Sequence, residues 1–105
     1  MGSGIAESVA VAGLPVVVRD VDRPSIDRAR ARIEDSLQRA VRRGRLEPVA
    51  AEEARERIEL TVDLGPVSEA DIVIEAVPEH ERLKVDVMHA IDEVIDETTI
   101  VASNT

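Results

Sequence analysis

Leu14-Pro15-Val16-Val17-Val18-Arg19-Asp20-Val21-Asp22-Arg23-Pro24 is the stretch on which the fold turns. Three successive valines bounded by a proline and an acid read as a short buried strand, and Pro15 fits only at its first position, where no ladder donor is needed. Val21-Asp22-Arg23-Pro24 is a turn that opens a helix, with Pro24 in its first turn. A strand that feeds directly into a helix begins a strand–helix–strand unit, and the rest of the chain repeats that alternation.

Upstream, Met1 to Ala12 place Ile5, Val9 and Ala12 at helical spacing, with Gly13 as the stop. Downstream, Ile26, Ala29, Ile33, Leu37, Ala40 and Val41 hold one helical face to about Arg43, and Gly44 ends it. Pro48 starts a second helix that runs with Ala50, Ala51 and Ala54 to about Ile58. Residues 24–58 thus form a helical hairpin inserted after the valine strand, longer than a minimal crossover requires. Leu60 to Leu64 is a short strand candidate, and Ile72-Val73-Ile74-Glu75-Ala76-Val77 is a second buried strand that Pro78 breaks. A helix from about Glu81 to Ile95 carries Leu83, Val87, Ile91 and Val94 on one stripe, and Thr98 to Ser103 is strand-like. This order predicts an α/β chain, a Rossmann-like doubly wound parallel sheet covered on both faces. No strand precedes the opening helix, so the sheet is expected to lack its first strand. In the order 3-2-1-4 that would leave the strands at 15–20 and 72–76 each short of a neighbour.

The composition narrows the function classes. At 105 residues the chain is one small domain or part of one. It has no aromatic residue, so its core must be built from Val, Ile, Leu, Ala and Met. The absence of cysteine excludes disulfides, thiolate metal sites and a cysteine nucleophile, and it fits a reducing, cytoplasmic setting. No stretch approaches the roughly 18 apolar residues of a membrane span, so no membrane role is expected. The net charge of −9 argues against a nucleic-acid partner. Eight of the 13 basic residues, all arginine, nevertheless fall between Arg23 and Arg45, against only Asp27, Glu34 and Asp35. Charge so segregated suits a local anionic ligand on an acidic body, although a charged helix face is more often simply solvated, and arginines at a helix C-terminus also complement its dipole.

Three further features bear on chemistry. Met1-Gly2-Ser3-Gly4 has the look of the end of a phosphate-binding glycine turn, in which the helix N-terminus receives a pyrophosphate; Gly2 would be its third glycine and Gly4 would permit close helix–strand packing. On those residues alone the signal is weak, and an ordinary chain start is the favoured explanation. Asp20 closes the valine strand 18 positions after Gly2, where an acid accepts from the adenine ribose hydroxyls and disfavours the extra 2′-phosphate of NADP. A turn acid or helix cap is the alternative, a role that Asp22 could fill as well. Glu75-Ala76-Val77-Pro78-Glu79, with Lys84, stands at the carboxyl edge of the sheet, where ligands bind in open α/β folds; Glu79 and Lys84 could instead make a surface ion pair. His80 and His89 read as surface residues, and no metal site is expected.

Taken as an ordered series, these blocks resemble the NAD-binding domain of the 3-hydroxyacyl-CoA dehydrogenases. The resemblance runs through Met1-Gly2-Ser3-Gly4-Ile5-Ala6, Val16-Val17-Val18-Arg19-Asp20-Val21-Asp22, Ile33-Glu34-Asp35-Ser36-Leu37, Asp71 to Glu79, and Val101-Ala102-Ser103-Asn104-Thr105. It implies NAD as cofactor and oxidation of an L-3-hydroxyacyl-CoA to the 3-ketoacyl-CoA. It also implies that Met1 and Gly2 lie along the cofactor and that Asp20 holds the adenosine ribose. Val77, Pro78 and Glu79 would line the nicotinamide side, with Lys84 close by. The hairpin would face the acyl-CoA, with Ser36 and Arg43 in contact with CoA, and Arg43 stands where a lysine is common.

The same resemblance implies what the chain does not hold. The family's first strand and Gly-x-Gly pair would precede Met1, and its active-site serine would follow Thr105, so Ser103 is not that serine. The catalytic histidine with its glutamate, and the helical C-terminal domain that makes the enzyme a homodimer, would lie further on. Residues 1–105 alone are therefore expected to be inactive. The alternatives are a related NAD oxidoreductase acting on a non-CoA hydroxy acid, or a non-catalytic binding module.

Overall fold

The structure, a computed structural model, describes residues 2–76 and 81–103. They form two compact units, 3–62 and 63–103.

The first unit contains α1 (Gly2–Val11), β1 (Val16–Arg19), α2 (Arg23–Arg42), α3 (Pro48–Glu56) and β2 (Ile58–Thr61). Two helices stop in the same way. Gly13 and Gly44 take φ of +104° and +72°. Leu14 then donates back to the Val9 carbonyl at 3.2 Å, and Arg45 to that of Ala40 at 2.9 Å. A left-handed residue closes a helix like this at little cost only when it has no Cβ. At its other end α2 is capped by Asp22, whose Oδ1 accepts from the Ser25 N–H at 2.8 Å, and Pro24 sits in the first turn.

That cap is pH-sensitive. The Ser25 backbone N–H, and after it the Ser25 hydroxyl, hold the Asp22 carboxyl below its ordinary 3.8. A group whose folded value is depressed contributes stability above its unfolded value and loses it as pH falls through the folded one. Asp22→Ala is therefore expected to lower the urea midpoint at neutral pH. The gap to the parent should close as pH drops below 3.8, and parallel urea melts at neutral and acidic pH check both halves.

β1 and β2 pair in parallel, with Val16 opposite Ile58 and Val18 opposite Leu60. Ala10, Ile33, Leu37, Ala51 and Ala54 form the buried cluster, with Val16, Ile58 and Leu60 packed against it from the strands. Without aromatic rings the helices close on the strands through alanine faces. The pairing corrects two boundaries. The strand expected at 60–64 begins at Ile58, and α3 ends at Glu56. Ile58 lies four residues after Ala54, which mimics helical spacing, but its register partner Val16 draws it into the sheet. The expectation of strands buried on both faces is also corrected: Val17 is exposed, because helices cover one face of this pair and Val17 and Glu59 point away from them.

The second unit holds a 3₁₀ turn (Gly65–Glu69), β3 (Ile72–Glu75), α4 (Glu81–Val94) and β4 (Ile100–Ser103). β3 and β4 are parallel, with Ile72 opposite Ile100 and Glu75 opposite Ser103. Here too the apolar runs are covered on one side. Val73 and Val101 are half-buried and Glu75 is buried against Lys84 of α4, whereas Ile72, Ile74 and Ile100 are exposed.

Candidate functional site

β1 ends at Arg19, so Asp20 is the first residue past the carboxyl end of the strand. Its N–H donates to the Thr61 carbonyl at 3.2 Å, adding a rung to the ladder, and its Oδ1 accepts from the Val21 N–H at 2.7 Å. The cap of α2 belongs to Asp22, so Asp20 is not the helix cap. A half-buried carboxylate with about four lone-pair sites, one of them taken, suits hydroxyl donors and repels a phosphate.

Gly2 opens α1, whose first turn has no acid. Its N–H groups have no intrahelical partner, and with the positive end of the helix dipole they fit a diphosphate. Gly4 does not make the expected close packing: a Cβ there would meet nothing within 4 Å. Met1, Val77, Pro78 and Glu79 lie outside the described residues, as does His80.

Ser36 and Arg43 are seven residues apart along α2 and its C-cap, close to two turns, and so share a face. The Ser36 hydroxyl donates to the Glu7 carboxylate of α1, 2.9 Å from Oε1 and 2.8 Å from Oε2. Arg43 is exposed. The arginines divide by environment. Arg30 and Arg39 pair with Asp27 and Asp35, Arg55 with Glu34 and Glu52, and Arg57 with Glu53. Arg23, Arg28 and Arg32 in the first half of α2, and Arg42, Arg43 and Arg45 around its end, make no ion pair among the described residues.

In the second unit Lys84 Nζ lies 3.6 Å from Glu75 Oε1, and the Ser103 hydroxyl donates to the same oxygen at 3.1 Å. Among the described residues Lys84 pairs with Glu75; Glu79, with which the sequence also allowed a surface ion pair, lies outside them. Glu75 is the one buried charged residue among the described residues, at 2% exposure. Its signal in the sequence was an acid two positions after Val73, on the inward-facing parity of the strand. His89 is exposed on α4. Among the described residues no group of histidines and acids could hold a metal, and no helix is long and apolar enough to cross a membrane.

Parallel strands joined by helical crossovers, with an acid at the carboxyl end of β1, define an α/β nucleotide-binding domain of the Rossmann class. The chain belongs to the 3-hydroxyacyl-CoA dehydrogenase family as its NAD-binding domain, a match that takes in residues 1–105, and the cofactor is NAD. It is 35% identical, over its whole length, to the fatty acid oxidation complex subunit alpha of Psychrobacter cryohalolentis. Among solved structures it is similar to the (S)-3-hydroxybutyryl-CoA dehydrogenase PaaH1 from Ralstonia eutropha (36% identity, TM-score 0.95) and to M. tuberculosis FadB2 (40% identity, TM-score 0.97), in both cases across 100% of this chain. The chain spans 15% of the length of the Psychrobacter protein and 37% of each of these two structures.

Proposed function

We propose that this chain is the cofactor-holding part of an enzyme that oxidises an L-3-hydroxyacyl-CoA to the 3-ketoacyl-CoA, in fatty-acid or butanoate metabolism. The observation that carries the reading is Asp20, placed past the carboxyl end of β1 and relieved of the capping role by Asp22. Asp20 would accept from the adenosine ribose, while Met1 and Gly2 would lie along the pyrophosphate. Val77, Pro78, Glu79 and Lys84 would serve the nicotinamide side. NAD, when bound, supplies the acceptor for the hydride leaving C3 of the substrate. Residues 1–105 are the NAD-binding domain in this reading, and none of them is assigned as the base that takes the 3-hydroxyl proton.

The hairpin at 24–58 would face the acyl-CoA. Ser36 would present a hydroxyl already oriented by Glu7, and Arg43 would meet an anionic oxygen of CoA, supported by the clustering of unpaired arginines around it. The test is NADH formation from L-3-hydroxybutyryl-CoA by the full-length protein; no reaction with any 3-hydroxyacyl-CoA would sink the reading. Within that assay Arg43→Glu is expected to raise KM for the acyl-CoA about 10-fold or more, with the Kd for NAD within about twofold of the parent. An unchanged KM would remove Arg43 from the CoA contact.

A further inference from the structure

Glu75 is an expensive residue to bury. A carboxylate taken out of water needs compensating charge and hydrogen bonds, and an apolar side chain at the same place is commonly as good for stability or better. Its side chain has no exposed surface, while that of Lys84 is 31% exposed. Three elements meet at this one group: β3, which carries it; β4, through its register partner Ser103; and α4, through Lys84. They meet at the carboxyl edge of a parallel pair, which in α/β sheets is the ligand edge.

We propose that Glu75 is the positioning residue for Lys84. The buried carboxylate, anchored by the Ser103 hydroxyl, fixes the ammonium at the edge of β3 and β4 before ligand arrives. A lysine head is a point charge on a long flexible stem, and most of its orientational freedom must be lost when it grips a ligand. Holding it against a fixed carboxylate removes that loss from the binding step, which is what preorganisation means in affinity. Lysine donates only, so the group it meets is an oxygen acceptor, here on the bound dinucleotide. The proposal rests on the assignment of Lys84 to the cofactor, made above.

The experiment is a double-mutant cycle on the full-length protein, read as the Kd for NADH by calorimetry and accompanied by thermal melts. Glu75→Gln keeps the size of the side chain and its acceptor for Ser103 but drops the charge. It is expected to weaken NADH binding about fivefold to tenfold. Lys84→Met should weaken it at least as much, and adding Glu75→Gln to Lys84→Met should change nothing further. Effects that multiply, or Glu75→Gln binding as the parent does while Lys84→Met binds worse, would overturn the positioning role and leave the Lys84 assignment standing. Parental binding by Lys84→Met would overturn both. If Glu75→Gln does not fold, Ser103→Ala takes its place, because it loosens one anchor and leaves the carboxylate paired. A smaller weakening that vanishes in the Lys84→Met background supports the proposal, and one that persists there refutes it.

Discussion

Replacing Asp20 with alanine is expected to weaken NAD binding by the full-length protein about 10- to 100-fold, with little change in its melting temperature. Hydrogen bonds to a charged group contribute about 1.5–3 kcal/mol when a partner is removed, and each 1.4 kcal/mol is about a factor of ten in affinity. The stability side follows from local geometry. The Asp20 rung to Thr61 is a backbone bond that alanine keeps, and the α2 cap lies on Asp22, so the substitution removes only the side-chain contact to the Val21 N–H. The same change should narrow the preference for NAD over NADP, because the charge that repels a 2′-phosphate is gone. Calorimetric titrations with both dinucleotides test this. A parental Kd for NAD would remove Asp20 from the site.

The largest effect on folding should come from Leu37→Ala. Leu37 is fully buried in the cluster that joins α1, α2 and α3 to the first strand pair. Its neighbours Ala10, Ala51 and Ala54 have no longer side chain to swing into the space left behind. Truncation of a leucine in such a site costs about 2–5 kcal/mol through lost transfer energy and an unfilled cavity. That is a large share of the roughly 5–15 kcal/mol that holds a domain folded. A drop of about 10–20 °C in Tm is expected. Val17→Thr, on the uncovered face of β1, should stay within about 0.5 kcal/mol and serves as the comparison. Similar losses for the two variants would contradict the one-sided packing of the sheet.

The alternation of strand and helix was readable because its punctuation is unambiguous. Asp22 and Pro24 open α2, Gly44 closes it, and three valines leave β1 no other reading. The membership of Ile58 was not readable: spacing from Ala54 and pairing with Val16 make opposite claims on it, and only the long-range pairing decides. Apolar runs such as Ile72 to Ile74 say that a strand is present but not how many of its faces are covered. The site was legible in the same uneven way. In one dimension Asp20 and Asp22 could each cap α2, and the geometry gives the cap to Asp22. The bond between Ser36 and Glu7 spans 29 residues, and that between Ser103 and Glu75 spans 28, so neither leaves a local trace.

The way the helical hairpin is attached has a further consequence. Val16 N–H bonds the Arg57 carbonyl and Asp20 N–H bonds the Thr61 carbonyl, so the chain leaves for the hairpin and returns from it on adjacent rails roughly 4.8 Å apart. Everything between is a detour hung from two pinned points. In its tip the exposed side chains of Arg45 and Glu47 can change charge without moving the acid at the end of β1. Selection on what the detour touches is thereby uncoupled from selection on the nucleotide cradle, and the two can evolve at different speeds.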